Sequence, residues 1–227
     1  MNWLEKNMNS IVLGDSYELI KKIPDKSIDL VITDPPYGIK RDKGYNGIGT
    51  TKKCSQRYKG GWDDDIPPSE FFDELFRVSK KIIIFGGNYF AHLLPVSRHW
   101  DVWDKKGSFK FDNDFSDCEL IYTNLKGNCN KFVIVQQGFV NDGDERLHPT
   151  QKPERLIRLF LKKYAKDCKI VADFFSGSGT VPAVAKQEGF NFIGIEKEKE
   201  FYDKSIDRLN GITISGQTSI FTDFENI

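Results

Sequence analysis

The sequence predicts an α/β fold: a mostly parallel, twisted sheet with helices on both faces. Three observations carry this. Short apolar runs, many of them β-branched, recur at 10–14, 28–32, 82–85, 170–175 and 190–195, and such side chains pack well on a pleated sheet. Segments with helical spacing of apolar residues alternate with them. Several of the runs end in an acid or in glycine, as at Asp15, Asp34, Gly86, Asp173 and Glu196, and the carboxyl ends of strands are where open α/β sheets bind ligands.

Taken in order, residues 10–14 read as a strand followed by Asp15, and 16–23 as a helix through Tyr17, Leu19, Ile20 and Ile23. Asp15 has two readings that can both hold: a helix N-cap, or an acceptor for the adenine amine of a bound cofactor. Residues 28–32 form the next strand, stopped by Asp34-Pro35-Pro36-Tyr37 because the prolines lack N–H donors and fix φ. Ser69 caps a helix carrying Phe71, Phe72, Leu75 and Val78, and 82–85 is a core strand leaving through Gly86-Gly87-Asn88, near which substrate can approach the backbone. Residues 100–104, 118–123 and 131–137 read as further strands, with Trp100 and Trp103 as packing residues. His148 to Pro153 precedes an amphipathic helix with Pro153 at its start, and its exposed N-terminus, with Thr150 and Lys152, can hold a carboxylate.

Residues 170–175 give a strand ending in Asp173, then Phe174-Phe175-Ser176-Gly177-Ser178-Gly179-Thr180 and a helix to about 188. Gly177 and Gly179 let a ligand approach the backbone, and Glu196, ending the next strand, is placed to accept both hydroxyls of a ribose. A dinucleotide fingerprint requires a third glycine where Pro182 stands, which argues against NAD.

Asp34, Pro35, Pro36 and Tyr37 suit methylation of an exocyclic amine on a nucleobase. The amine lone pair is delocalised into the ring until acceptors hold its N–H groups. Asp34 supplies a carboxylate, the Pro35 carbonyl a second acceptor, and Tyr37 a flat face on which an extruded base can stack, worth roughly 1–3 kcal/mol. The plainer reading is a strand-ending turn.

Lys plus Arg equals Asp plus Glu at 33 each, so net charge advertises no partner. Residues 38–61, however, hold six glycines, Tyr45, Tyr58 and a charge of +6, from Lys40, Arg41, Lys43, Lys52, Lys53, Arg57 and Lys59 against Asp42. Placed after the clamp, this stretch reads as a basic lid that grips phosphates and closes on a flipped nucleotide, against the alternative of a solvated loop. No apolar stretch approaches the ~20 residues that span a bilayer and no signal core is present, so a soluble cytoplasmic protein is expected. Cys54, Cys118, Cys129 and Cys168 have no zinc-ligand spacing, so free thiols and no metal are expected.

Together, Asp34 to Tyr37, His148 to Pro153, and Asp173 to Thr180 followed by Glu196 resemble the amino-group DNA methyltransferases that use S-adenosylmethionine. The catalytic motif precedes the cofactor glycines, which is similar to the permuted β subgroup. The resemblance implies a Rossmann-like class I methyltransferase fold over a single domain, 1–227, with a basic insertion at 38–61 and a short recognition segment at 124–147. It implies that Asp34 to Tyr37 activate the target amine, that Asp15, Asp173, Phe175, Ser176, Gly177, Gly179, Thr180 and Glu196 line the cofactor site, and that Thr150 and Lys152 touch its methionine end. The expected reaction is methyl transfer to N6 of a flipped adenine in double-stranded DNA. A homodimer and a cognate restriction nuclease are partners the resemblance allows. N4-cytosine methylation, an RNA or protein methyltransferase, and a non-catalytic nucleic-acid binding module of the same fold are the alternatives.

Overall fold

A computed structural model of the chain describes residues 1–39, 65–109, 116–136 and 151–212. The basic residues 40 to 59, and His148, Pro149 and Thr150, lie outside the described residues. The elements run α1 (Trp3–Lys6), β1 (Ser10–Leu13), α2 (Ser16–Leu19), a 3-10 turn (Ile20–Lys22), β2 (Ile28–Thr33), α3 (Ser69–Val78), β3 (Ser79–Phe85), a second 3-10 turn (Gly87–Phe90), β4 (Trp100–Asp104), β5 (Cys118–Thr123), β6 (Lys131–Val133), α4 (Glu154–Tyr164), β7 (Ile170–Asp173), α5 (Thr180–Gln187), β8 (Asn191–Glu196) and α6 (Lys199–Asn210).

The eight strands form one sheet in the order β1-β8-β7-β2-β3-β5-β4-β6. From β1 through β3 every pairing is parallel, and β5 runs antiparallel to both β3 and β4. From β2 the chain proceeds to β3 on one side, whereas from β7 it proceeds to β8 on the other. The reversal opens a crevice at the carboxyl ends of β2 and β7, the position where sheets of this kind bind ligands.

Alternation along the strands feeds two cores. Ile83, Phe85, Leu30, Ile32, Val171 and Phe192 meet Leu156, Phe160, Val184 and Leu209 of α4, α5 and α6. Ile82, Ile84, Val31, Ala172 and Ile193 face Leu4, Ile20 and the Phe71, Phe72, Leu75 and Val78 stripe of α3. Such two-faced burial explains why the central strands read as unbroken apolar runs. Among the described residues no helix is long and apolar enough to cross a membrane.

Several boundaries differ from the sequence reading, each for a local reason. The 16–23 helix is four α-helical residues and a 3-10 turn, because Ile23 precedes Pro24 and is held extended at φ −88°, ψ 131°. Ser69 does not cap α3: Pro68 occupies the cap position with extended backbone, and the Ser69 hydroxyl donates to Glu70 instead. Pro153 likewise sits at the cap of α4, not inside it. β3 begins at Ser79, paired with Ile28, because Lys80 and Lys81 run their charged ends out to Asp29 and the Tyr164 carbonyl. β6 stops at Val133, opposite Asp104, where its partner β4 ends, so part of the expected recognition segment is an edge strand. The helices α1 and α6 had no sequence expectation; the buried stripe of α6, Phe201, Ser205 and Leu209, has a serine at its centre.

The glycine loop after β7 lies directly over β8. A Cβ at Gly194 would stand 2.5 Å from Ser176 Oγ, 2.9 Å from Ile11 Cγ1 and 3.0 Å from Pro182 Cγ. Gly194→Ala should therefore cost about 1–3 kcal/mol of overpacking strain, read as a lower urea midpoint at unchanged slope. An unmoved midpoint would show that the loop yields freely.

Candidate active site

Asp34 leaves β2 at the crevice with its side chain 20% exposed. Its Oδ2 accepts from the Lys152 ammonium, and its Oδ1 lies 2.5 Å from the Tyr37 hydroxyl. That hydroxyl is also 2.9 Å from Oε1 of Glu119 on β5. Glu119 completes the cluster, with Lys105 Nζ at 2.5 Å and Lys152 Nζ at 3.5 Å. Burial pushes the Asp34 carboxyl up, opposed by Lys152 and reinforced by the Glu119 charge. Burial acts on Glu119 in the same direction, but Lys152 and Lys105 overcome it and hold Glu119 down at about 2. Burial and then the two carboxylates raise the Tyr37 phenol well above its ordinary value. The phenol has one hydrogen for two acceptors, so it donates to Asp34 or to Glu119 but not to both at once.

Tyr37 is packed more tightly than an open platform would be. Its ring stacks on Tyr89 with centroids 4.6 Å apart and planes at 12°. It also closes on Gly86, where a Cβ would fall 2.4 Å from ring carbons and φ is +62°. The glycine expected to admit substrate admits the tyrosine, and one face of the expected base-stacking ring is already covered.

On the other side of the crevice, Thr33 at the end of β2 donates its hydroxyl to Asp173 Oδ1 at 2.8 Å, and the Phe175 amide donates to the same oxygen at 3.1 Å. Burial lifts Asp173 to about 7, against these two hydrogen bonds and with help from the Asp34 and Glu196 charges. Glu196, 8% exposed, accepts from the Gly177 amide at 2.6 Å and the Glu198 amide at 2.8 Å; burial raises it as well. Among the described residues no cation pairs with Asp173 or Glu196. Gly179 adopts φ +75°, and a Cβ there would stand 2.9 Å from Ser205, so the loop can turn only through glycine.

Asp15 caps α2 by accepting from the Tyr17 amide at 2.9 Å and pairs with Lys197 at 3.1 Å. Its strand lies beside β8, with Leu13 opposite Glu196, which brings it to the same sheet end. Ser176 Oγ turns back to the Asp173 carbonyl at 3.2 Å. Thr180 Oγ1 accepts from Arg208 at 3.1 Å, and Phe175 meets Phe71 and Tyr17 edge-on. Lys152 departs most from its expected place. It is buried and bound to Asp34 and Glu119, so the described residues just before α4, 151–153, offer no exposed cation. Sequence reasoning missed Glu119, Lys105, Tyr89 and Gln151, whose Oε1 accepts from Ser178 of the glycine loop at 3.0 Å. An acid flanked by apolar residues within a short strand, as in Cys118-Glu119-Leu120, was the available signal for the first.

Known proteins resemble this chain over most of its length. Type II methyltransferase M.HinfI of Haemophilus influenzae is 27% identical over 250 residues, 90% of this chain and 69% of that protein. DNA adenine methyltransferase YhdJ of Escherichia coli is 27% identical over 252 residues, 88% of this chain and 82% of that one. Two solved structures share the fold, each with a TM-score of 0.58. The M1.HpyAVI–SAM complex is 22% identical, with coverage of 88% and 98%. The cytosine-N4-specific PvuII DNA methyltransferase is 18% identical, with coverage of 90% and 88%. The sheet is thus that of the Rossmann-like methyltransferases. A family model for N6/N4 methyltransferases, described as DNA methylase, matches residues 94–207, half of the chain, and the chain belongs to that family of amino-group DNA methyltransferases.

Proposed function

We propose that the protein transfers a methyl group from S-adenosylmethionine to the exocyclic N6 amine of a flipped adenine in DNA. The observation that supports this reading most is the Thr33–Asp173 hydrogen bond, which ties the end of β2, one residue before Asp34, to the end of β7, where the glycine loop begins. The cofactor fits the residues present. Asp173 and Glu196 are buried acids with no described cation, so a ligand bearing a sulfonium and an ammonium supplies the charge they lack. When bound, it offers an electrophilic methyl carbon. Glu196, braced by two backbone amides, retains lone pairs that would take the ribose hydroxyls, and Asp173 would take the ammonium. Asp34 and the Pro35 carbonyl accept the two amine hydrogens and aim the nitrogen at the methyl carbon. Orientation supplies most of the acceleration, on the scale of effective molarities of about 10⁵–10⁸ M. Adenine is preferred to cytosine because a relative at 27% identity is named an adenine methyltransferase, whereas the cytosine-N4 enzyme shares the fold at 18%. Lys40, Arg41, Lys43, Lys52, Lys53, Arg57 and Lys59 are proposed to hold the DNA backbone.

Incubation with DNA and labelled cofactor, followed by nucleoside mass analysis, should yield N6-methyladenine. N4-methylcytosine would reassign the acceptor. Asp34→Ala should abolish turnover and leave cofactor affinity within about threefold, because the carboxylate acts on the amine; an active variant would remove Asp34 from the chemistry.

Asp173 predicts a pH dependence. Its folded pKa of about 7 exceeds the unfolded value, so the folded state binds the proton more tightly. The resulting stability is present below about pH 4 and lost as pH rises through 7, by up to about 4 kcal/mol. Unliganded wild-type protein should therefore melt lower at pH 8 than at pH 5 by a margin that Asp173→Asn shrinks, while the variant binds cofactor poorly. Parallel pH profiles for the two proteins would show that Asp173 titrates normally.

Each lysine engaged on phosphate should contribute about −0.9 to the slope of log affinity against log salt. Lys52→Ala with Lys53→Ala should flatten it by about 2, equally for all DNA sequences. An unaltered slope would assign both to a bystander surface.

A further inference from the structure

The acid that is to accept the target amine is already engaged on both of its oxygens. Lys152 holds one oxygen of Asp34 and Tyr37 the other, so an arriving amine competes with a buried cation and a phenol for the lone pairs that remain. A route to freeing both oxygens is built into the cluster. Glu119 Oε1 already lies 2.9 Å from the Tyr37 hydroxyl and 3.5 Å from Lys152 Nζ, so each donor reaches Glu119 by a shift of a fraction of an ångström to about an ångström. Glu119 is 9% exposed, which keeps water from competing for the same donors, and Lys105, resting over the Trp103 ring at 4.7 Å, fixes its other oxygen. An acid in the interior of a strand is costly unless paired, and this one has two lysines and a phenol around it.

We propose that Glu119 is a positioning residue that takes Lys152 and Tyr37 from Asp34 when the target amine enters, exchanging one set of hydrogen bonds for another. The inference rests on the amine-methyltransferase reading above. No bond to carbon changes in this step. Lys152 Nζ–H and Tyr37 Oη–H move from Asp34 oxygens to Glu119 Oε1, and the two amine N–H groups are accepted by Asp34 and by the Pro35 carbonyl. Because each donor passes from one acceptor to another and none is left unpaired, the barrier is small next to breaking the buried Lys152–Asp34 pair outright.

The groups facing Asp34 are Lys152 before α4, Glu119 on β5, Tyr37 on its own turn and Asp173 on β7, and Lys105 acts through Glu119. Glu119→Gln leaves Lys152 with Asp34 as its one anionic partner among the described residues. The plateau kcat on DNA should then fall at least about tenfold with cofactor Kd within about threefold. The acid limb of the rate profile should move to lower pH, since the negative charge that hinders Asp34 ionisation is gone. Lys105→Met removes the competing cation from Glu119 and should move the same limb to higher pH. A residue that merely supports the strand would lower the melting temperature and leave the limb in place. A Glu119→Gln plateau within about twofold of wild type, or an unmoved limb in the variants that fold, would overturn the inference while leaving the methyltransferase reading intact. Wild-type protein that methylates neither adenine nor cytosine in DNA would overturn both.

Discussion

The pairing of β2 with β7 is the constraint on which the site depends. It rests on a short parallel ladder, Leu30 opposite Val171 and Val31 opposite Ala172, closed by polar contacts at both ends. At the entry, the Asp29 carboxylate accepts the Lys169 and Ile170 amides at 2.8 and 3.0 Å. At the exit, the Thr33 hydroxyl reaches Asp173 and itself accepts the Phe174 amide at 3.3 Å. A slip of one residue would turn every side chain of β2 to the wrong core and would break both closures. The register thus delivers two sequence-distant acids, Asp34 and Asp173, to one crevice.

Once the strands are set, the site divides by charge. The half around Asp34 and Glu119 contains its own cations, Lys152 and Lys105. The half around Asp173 and Glu196 has backbone amides and the Thr33 hydroxyl as partners and, among the described residues, no cation paired with either acid. Backbone amides hold a carboxylate in place but cannot neutralise it, so burial leaves these acids with raised affinity for a proton or for a cationic ligand. In the proposed reading the first half meets a neutral amine and the second a charged cofactor, and each has the electrostatics its ligand requires.

What the sequence shows and what it hides follows from range. Strands ending in Asp34, Asp173 and Glu196 are legible because a buried parallel strand is a continuous apolar run and its polar terminus stands out. The order of the strands, which makes those termini converge, is decided by crossovers that no local pattern encodes. Lys152 shows the limit. Read from its neighbours it belongs with a helix start, whereas in the fold it lies against an acid 118 residues earlier. Glu119 was hidden for the same reason, since its importance comes from β5 folding back antiparallel on β3 and turning that side chain toward the crevice. Local chemistry also misled where backbone rules competed: serine is a good cap, yet the fixed φ of Pro68 placed the cap one residue earlier.

Tyr37 joins these themes, because its ring and its hydroxyl answer to different neighbours. The hydroxyl is tied to Asp34 and Glu119, while the ring lies between Tyr89 and the bare backbone of Gly86. An aromatic pair of this kind contributes about 0.5–1.5 kcal/mol beyond area burial, whereas a base stacked on an aromatic ring contributes about 1–3 kcal/mol. Under the proposed function, a base that displaced Tyr89, 38% exposed on its 3-10 turn, would exchange a weaker stack for a stronger one, and the difference offsets part of the few kcal/mol that base extrusion costs. The resting stack therefore keeps an apolar ring face away from water without raising a large barrier to the base. The ring is not a vacant platform, and the energetic gain available on flipping is the difference between two stacks, smaller than the full value of one.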